Sequence, residues 1–185
     1  MYNPLIHNRQ SRRLKGYDYA SAGLYFITLN TENREQLFGE IKDGRMILTE
    51  AGLIAQKYWL EIPDHYPHAA LHDFVIMPDH IHGVIEIIYN PNLIDHSVAV
   101  GANNYSPRRL RLDRMDQQSL FKSPSKTIGS VIRGFKTGVT KWMRKYTTVH
   151  RVWQRDYYEH IIRDTESYHR ICQYIRDNPK NWKEK

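Results

Sequence analysis

Residues 69–88 read AALHDFVIMPDHIHGVIEII, and this stretch decides the fold because it holds two strand patterns joined by one short break. Apolar, β-branched and aromatic residues dominate both halves, as they do in sheet strands. The pattern predicts one strand from Ala69 to Met77 and another from His80 to Tyr89. Pro78 and Asp79 separate them, since proline cannot donate to a sheet ladder. We therefore expect two neighbouring strands of one sheet.

The segments on either side of this pair predict further strands and helices. Strands are expected at Leu24–Asn30, in a hairpin around Asp43-Gly44 and at Val152–Ile162. Helices are expected from a Thr49 cap to about Pro63, from about Pro124 to Tyr146, and from a Thr165 cap to Asp177. This order predicts an α+β fold: a ferredoxin-like antiparallel sheet with helices packed on one face, plus an extra hairpin and a long loop insertion.

The size and composition are those of one globular domain. The chain has 185 residues, of which 41% are hydrophobic and 25% charged, and we expect a single domain over 1–185 with a flexible, turn-rich insertion at 90–122. Its one cysteine, Cys172, excludes internal disulfides and a multi-cysteine zinc site. Because Met1–Gly16 is polar and no apolar run reaches the length of a membrane helix, we expect a cytoplasmic protein without a membrane partner.

The positive charge is concentrated in the last third of the chain. Residues 122–185 carry 15 Lys and Arg against 6 Asp and Glu, whereas residues 1–121 carry 12 against 14. Such an asymmetry is typical of a face that binds a polyanion. A solvated basic helix that binds nothing has the same composition, so charge alone leaves both interpretations open.

His80 and His82 form a His-x-His pair at the start of the second predicted strand. Residues two apart on a strand point to the same face, so two imidazoles lie side by side and can chelate one divalent metal. We expect this face to be half exposed, and the opposite face to form core through Ile81, Gly83, Ile85 and Ile87. A pair of this kind is more often structural than metal-binding, so the pattern by itself decides neither.

Tyr174 and Asn178 lie four residues apart on the last predicted helix, and so on one helical face. An asparagine carbonyl is a suitable hard ligand for Mg²⁺ or Mn²⁺. A tyrosine one turn earlier can act as a covalent nucleophile beside such a metal. The alternative is that Tyr174 is an ordinary amphipathic residue and that Asn178, before Pro179, simply ends the helix.

Three motifs in this order resemble the IS200-like single-tyrosine transposases, and in particular their REP-associated branch, which accompanies repeated extragenic palindromes in bacterial genomes. The motifs are Met77-Pro78-Asp79-His80-Ile81-His82-Gly83, Trp153-Gln154-Arg155-Asp156-Tyr157-Tyr158-Glu159-His160-Ile161-Ile162-Arg163 and Tyr174-Ile175-Arg176-Asp177-Asn178-Pro179. The resemblance also includes Gly16-Tyr17-Asp18-Tyr19 and Tyr25-Phe26-Ile27-Thr28. It therefore extends over most of the chain outside 90–122.

The resemblance implies a His-hydrophobic-His nuclease that cleaves and rejoins single-stranded DNA next to a hairpin. It implies Tyr174 as the nucleophile, which leaves a 5′-phosphotyrosine link. His80, His82 and Asn178 would be the ligands of Mg²⁺ or Mn²⁺. The implied partner is hairpin-forming, palindromic single-stranded DNA, and the implied protein is a monomer or homodimer that is nucleoid-associated when it binds DNA. Tyr157, Tyr158 and Tyr168 are other tyrosines near the same motifs.

Basic and aromatic residues of the last third are candidate DNA contacts. Lysine and arginine on the long helix can hold backbone phosphates, and tyrosines can stack unpaired bases. The candidates are Lys126, Arg133, Lys136, Lys141, Arg144, Tyr157 and Tyr158. Core packing is the alternative for the aromatic residues, and we favour it for Trp153.

Other functions are compatible with parts of this pattern. A non-catalytic single-stranded nucleic-acid-binding protein would need the basic and aromatic residues but not the metal and tyrosine set. A regulator that kept the active site after losing mobility has the same sequence features as an active transposase. A replication initiator or relaxase is disfavoured, because the chain is short and has one tyrosine in the matching motif.

Overall fold

A four-stranded antiparallel sheet in the order β4-β5-β1-β6 is the centre of the fold, and β2 and β3 form a separate hairpin. The computed structural model describes residues 21–88 and 126–183. The strands are β1 (Gly23–Asn30), β2 (Gly39–Lys42), β3 (Arg45–Leu48), β4 (Ala69–Ile76), β5 (His80–Ile87) and β6 (Tyr158–Ile162). The helices are α1 (Glu50–Leu60), α2 (Ile62–His65), α3 (Ile128–Tyr146) and α4 (Thr165–Asp177), and a 3-10 turn covers Glu32–Arg34.

The two faces of the sheet pack against different helices. On β1, Tyr25 and Ile27 belong to the main core with residues of α1 and α3, whereas Phe26 belongs to a smaller cluster with Val84 and Ile175 of α4. Because successive strand residues alternate between faces, α4 lies on the face opposite α1 and α3. The α+β class with an antiparallel sheet and packed helices is confirmed. The prediction that the helices pack on one face is correct for α1 and α3 but not for α4, which covers the other face.

Strand register brings the residues of the α4 face into rows across the sheet. Thr28 of β1 is paired with His82 of β5 on one side and with Tyr158 of β6 on the other. Asn30 is paired with His80 in the same way. Side chains directly opposite each other are in contact range, so these rows set the neighbours of both histidines.

The hairpin and the first helix form for the predicted local reasons. Asp43 and Gly44 both have positive φ, 51° and 70°, as a two-residue hairpin turn requires. The Thr49 side chain accepts a hydrogen bond from the Gly52 backbone N–H and caps α1. On β5, the lack of a side chain at Gly83 lets the Trp59 ring of α1 pack directly on the sheet, because a Cβ at residue 83 would lie 2.3 Å from that ring.

Three predicted boundaries are wrong. Helix α3 starts at Ile128 and not at about Pro124, because the Thr127 side chain caps it by accepting from the Ser130 backbone N–H. Strand β6 starts at Tyr158 and not at Val152, and upstream of it only a single bridge joins Trp153 to Thr31. The Gln154 carbonyl accepts a hydrogen bond from the Lys136 side chain, at 2.7 Å, in place of a ladder partner. Helix α4 is capped by Asp164, whose carboxylate accepts from the Ser167 backbone N–H, and not by Thr165.

The predicted insertion at 90–122 lies outside the described residues. Among residues 21–88 and 126–183, no helix is both long enough and apolar enough to span a lipid bilayer.

Candidate active site

His80 and His82 lie side by side at the start of β5, with ring centroids 4.5 Å apart. The shared face predicted for them is present, but the expected half exposure is wrong: the two residues are 7% and 6% exposed. Their cover comes from α4 and from the residues that follow it, which lie on this face of the sheet. Tyr174 packs against the His82 ring, and Trp182 stacks on His80 with centroids 5.8 Å apart.

Each ring nitrogen of His82 has a partner. Its Nδ1 lies 2.9 Å from Thr28 Oγ1, and its Nε2 lies 3.2 Å from Tyr174 Oη. Burial, with smaller contributions from His80 and Arg34, lowers the pKa of His82 to about 3, so the imidazole is neutral at neutral pH. The tautomer with its proton on Nδ1 donates to Thr28 Oγ1 and leaves the Nε2 lone pair for the Tyr174 hydroxyl or for a metal.

His80 is oriented by Asp79, the residue before it. His80 Nδ1 lies 2.5 Å from Asp79 Oδ1, and Arg34 lies 3.5 Å from the other carboxylate oxygen. Burial opposes ionisation of Asp79, but the hydrogen bond from His80 and the Arg34 cation lower its pKa below the usual range. Arg34 also donates to Asn30 Oδ1 at 2.8 Å, so its side chain is held on this face. A carboxylate behind a histidine is the usual second partner of a metal-binding imidazole.

This donor set fits a divalent metal held by two imidazoles. Both Nδ1 atoms are engaged, by Asp79 and by Thr28, so the two Nε2 atoms are the ones that would bind it. In the described part of the chain, no group of three or more His, Cys, Asp and Glu could hold a metal ion. Oxygen ligands from an amide, from water or from the substrate would suit Mg²⁺ or Mn²⁺ beside the two imidazoles.

The structure brings three of the four predicted metal and catalytic residues into one cluster: His80, His82 and Tyr174. Tyr174 is 50% exposed and packs edge-on against Phe26, which stacks on His82, so its phenol is anchored on one side and open to solvent on the other. Asn178 forms the C-cap of α4, one turn after Tyr174. Its side chain makes no hydrogen bond to any residue that the structure describes, and its role as a ligand stays a prediction.

Four of the predicted DNA contacts on α3 line one groove with a volume of about 640 Å³. They are Arg133, Lys136, Lys141 and Arg144, and Tyr157 lines the same groove. Trp153 and Arg155, from the segment just before β6, also line the groove. Burial lowers the pKa of Lys136, whose ammonium donates to the Gln154 carbonyl, so this lysine also has a structural partner.

The other two predicted DNA contacts lie elsewhere. Lys126 is exposed just before α3 and does not line the groove. Tyr158 is 48% exposed and packs edge-on against Phe26, the ring that also contacts Tyr174 and His82. Adjacent strand residues point to opposite faces of a sheet. Tyr157 therefore faces the groove, and Tyr158 faces the side of the sheet that carries the histidines.

Several residues of the cluster were missed by the sequence interpretation. Asp79 stands next to His80 in the motif, so the pattern of carboxylate and histidine could have found it. Arg34 and Trp182 come from distant parts of the chain and carry no local signal. Arg34 follows Asn33, and both have positive φ, 59° and 50°, in a tight turn that returns the side chain to the sheet.

Two Haemophilus influenzae proteins are similar to this chain over most of its length. A Haemophilus influenzae protein of uncharacterised function is 45% identical over 183 residues, which covers 99% of this chain and 94% of that protein. A provisionally named REP-associated tyrosine transposase of Haemophilus influenzae is 25% identical over 162 residues, covering 88% of this chain and 73% of that one. No protein-family model matches the chain.

A solved structure shows the same fold. It is a REP-associated tyrosine transposase bound to a REP hairpin, with a TM-score of 0.56 and 19% sequence identity, and the match covers 92% of this chain and 73% of that one. At this identity the likeness establishes the fold of the chain. The resemblance to the REP-associated tyrosine transposases, predicted from three motifs, is confirmed. Because of the 45% identity over 99% of its length, the chain belongs to one family with the uncharacterised Haemophilus influenzae protein.

Proposed function

We propose that the protein is a metal-dependent single-stranded DNA endonuclease and strand transferase that cleaves beside hairpins through a 5′-phosphotyrosine intermediate. The observation that carries the proposal is the contact between Tyr174 Oη and His82 Nε2, at 3.2 Å, beside the buried His80 ring. A nucleophile next to two paired imidazoles is the arrangement that metal-assisted phosphoryl transfer needs. A protein that only binds nucleic acid has no use for this cluster.

Each side chain has a defined task in this reaction. His80 and His82 would hold Mg²⁺ or Mn²⁺ through their Nε2 atoms, while Asp79 and Thr28 orient the two rings through their Nδ1 atoms. When bound, the metal draws electron density from the non-bridging oxygens of the scissile phosphate and so stabilises the charge that develops there. Asn178 is proposed as an assisting ligand from the end of α4.

Tyr174 carries out the bond exchange. Its Oη forms a bond to phosphorus while the bond from phosphorus to the 3′ oxygen breaks, which leaves a 5′-phosphotyrosine and a free 3′-hydroxyl. The phenol loses its proton and the departing 3′ oxygen gains one, so charge balances. Attack by a 3′-hydroxyl on the phosphotyrosine reverses these changes and rejoins strands. No nucleotide cofactor is required, because one phosphoester replaces another at each step.

Single-stranded DNA with a hairpin is the proposed partner. The groove on α3 presents Arg133, Lys141 and Arg144 for backbone phosphates, a contact that needs no base sequence. Tyr157 on one side of β6 and Tyr158 on the other offer aromatic rings for unpaired bases. A strand that passes the start of β6 would lead from this groove to Tyr174.

The test is incubation of a labelled single-stranded hairpin with flanking tails, with protein and Mn²⁺ or Mg²⁺, followed by a denaturing gel. We expect shortened DNA and a covalent protein–DNA adduct that requires metal, and loss of both in Tyr174→Phe and His82→Ala. Tyr146→Phe is the matched control, because Tyr146 is also exposed but lies at the end of α3. Its adduct should equal that of the wild type.

Two outcomes contradict the proposal in different ways. An adduct that persists in Tyr174→Phe assigns the nucleophile to another tyrosine. Tight binding without any adduct, across hairpins taken from both flanks of the gene, favours a protein that binds single-stranded nucleic acid without cleaving it, or a regulator that has lost mobility.

A further inference from the structure

Helix α4, which carries Tyr174, packs on the sheet through a small apolar cluster. Its buried side chains are Phe26, Val84, Ile162 and Ile175, and the partly buried Leu24, Val75, Tyr168 and Ile171 pack against them. Apolar burial is non-directional, so a cluster of this size resists lifting of the helix more than sliding along its axis. Directional polar contacts are needed to hold Tyr174 Oη at a fixed distance from His82.

Those polar contacts start from a bulge in β4. The register between β4 and β5 shifts between Leu71 and Phe74, so His72 and Asp73 lie outside the regular ladder. A bulge re-aims the side chains that it contains and is common beside active sites. Here both side chains reach α4 on the face that carries the candidate active site.

His72 links α4 to two strands. Its Nδ1 lies 2.9 Å from Tyr168 Oη, and its Nε2 lies 2.9 Å from Glu86 Oε2 on β5. A neutral imidazole that donates from Nε2 to the carboxylate accepts from the phenol at Nδ1, so all three groups are satisfied at once. The first half of α4 is thereby tied to β4 and β5 by hydrogen bonds of defined direction.

Asp73 holds the second half of the helix. Arg176 donates to its two carboxylate oxygens from Nε and Nη2, at 2.7 Å and 3.0 Å. These hydrogen bonds outweigh burial and lower the pKa of Asp73, with a further contribution from the Cys172 thiol. A forked pair of this geometry fixes direction as well as distance, which a lysine cannot reproduce. Tyr174 lies between the two attachment points in sequence.

We propose that His72 and Asp73, presented by the β4 bulge, are positioning residues that hold α4 so that Tyr174 stays beside the His80 and His82 pair. Neither side chain contacts the reacting atoms, and each acts through a residue of α4: Tyr168 or Arg176. The consequence for catalysis rests on the proposed function, but the positioning itself does not. Loss of either attachment lets the helix shift, and a displacement of about 1 Å at a reacting group can cost about 100-fold in rate.

The first test measures the position of Tyr174 without DNA or metal. Long-range ¹H–¹⁵N spectra resolve the imidazole nitrogens of His82, and Tyr174→Phe gives the reference spectrum for a lost hydrogen bond at Nε2. We expect the His82 signals of Arg176→Lys and Tyr168→Phe to move toward that reference. Arg170→Lys is the matched control, because Arg170 is exposed and its polar partners, Glu166 and Ser167, belong to the same helix. Its His82 signals should match the wild type.

The second test separates the chemical step from binding. At saturating hairpin DNA and Mn²⁺, Arg176→Lys should form the adduct at least about tenfold more slowly, with unchanged affinity for DNA, and Arg170→Lys should react at the wild-type rate. Wild-type His82 signals in both Arg176→Lys and Tyr168→Phe would overturn the positioning role. An absence of adduct from the wild type would instead count against the proposed function, and the spectra would still decide the positioning role.

Discussion

Acid should destabilise the metal-free protein through His82. Burial holds the pKa of this imidazole at about 3 in the folded protein, against about 6.5 in an unfolded chain. Between pH 6.5 and pH 3, His82 is protonated in the unfolded chain but neutral in the folded protein. Its contribution to the free energy of unfolding is therefore fully present above pH 6.5 and is lost as the pH falls toward 3. Each pH unit in this window costs about 1.4 kcal/mol, so a change from pH 7 to pH 5 should remove about 2 kcal/mol from the free energy of unfolding.

Urea unfolding in the presence of EDTA at the two pH values measures this loss. His82→Gln keeps a polar side chain but cannot titrate, so its free energy of unfolding should fall by about 2 kcal/mol less than that of the wild type between pH 7 and pH 5. The comparison uses this difference, because the substitution also changes stability at both pH values. His160→Gln removes an exposed histidine of β6, and its free energy of unfolding should fall between pH 7 and pH 5 by as much as that of the wild type. An equal loss in His82→Gln and the wild type would refute the reasoning.

Three further outcomes are expected. Tyr174→Phe removes the hydroxyl that occupies the Nε2 lone pair of His82, so Mn²⁺ should bind about 2- to 10-fold more tightly by calorimetry; weaker binding would mean that the hydroxyl assists the metal. Gly83→Ala places a Cβ 2.3 Å from the Trp59 ring and should lower the free energy of unfolding by about 1–3 kcal/mol in urea, and a neutral effect would show that the ring yields. Arg133→Ala should weaken hairpin binding and reduce the slope of log affinity against log salt by about 1; an unchanged slope would place the phosphate outside the α3 groove.

Much of the fold was predictable because each element has its own local signal. Alternation along β5 put Ile81 and Ile85 in the core and His80 and His82 on the other face, and the structure has this arrangement. The Asp43-Gly44 turn and the Thr49 cap are short-range features, and both are present. The start of β6 was wrong because strand propensity at residues 152–157 does not reveal that the Lys136 side chain takes the Gln154 carbonyl.

The candidate site was predictable only as far as its residues share an element. His80 and His82 are two apart on one strand, so their proximity follows from backbone geometry alone. Their burial does not, because it depends on where α4 and Trp182 lie relative to β5.

The face on which α4 packs decides what the protein can do. On the side of α1 and α3, Tyr174 would be separated from the histidines by the sheet. On the opposite side, its hydroxyl lies 3.2 Å from His82 Nε2. Polar residues add to the apolar contacts on this face: Tyr168 and Arg176 on the helix bind His72 and Asp73 in the bulge. A substitution in that polar set should therefore damage the placement of Tyr174 more than the stability of the sheet. That asymmetry is the property expected of residues that serve the reaction and not the fold.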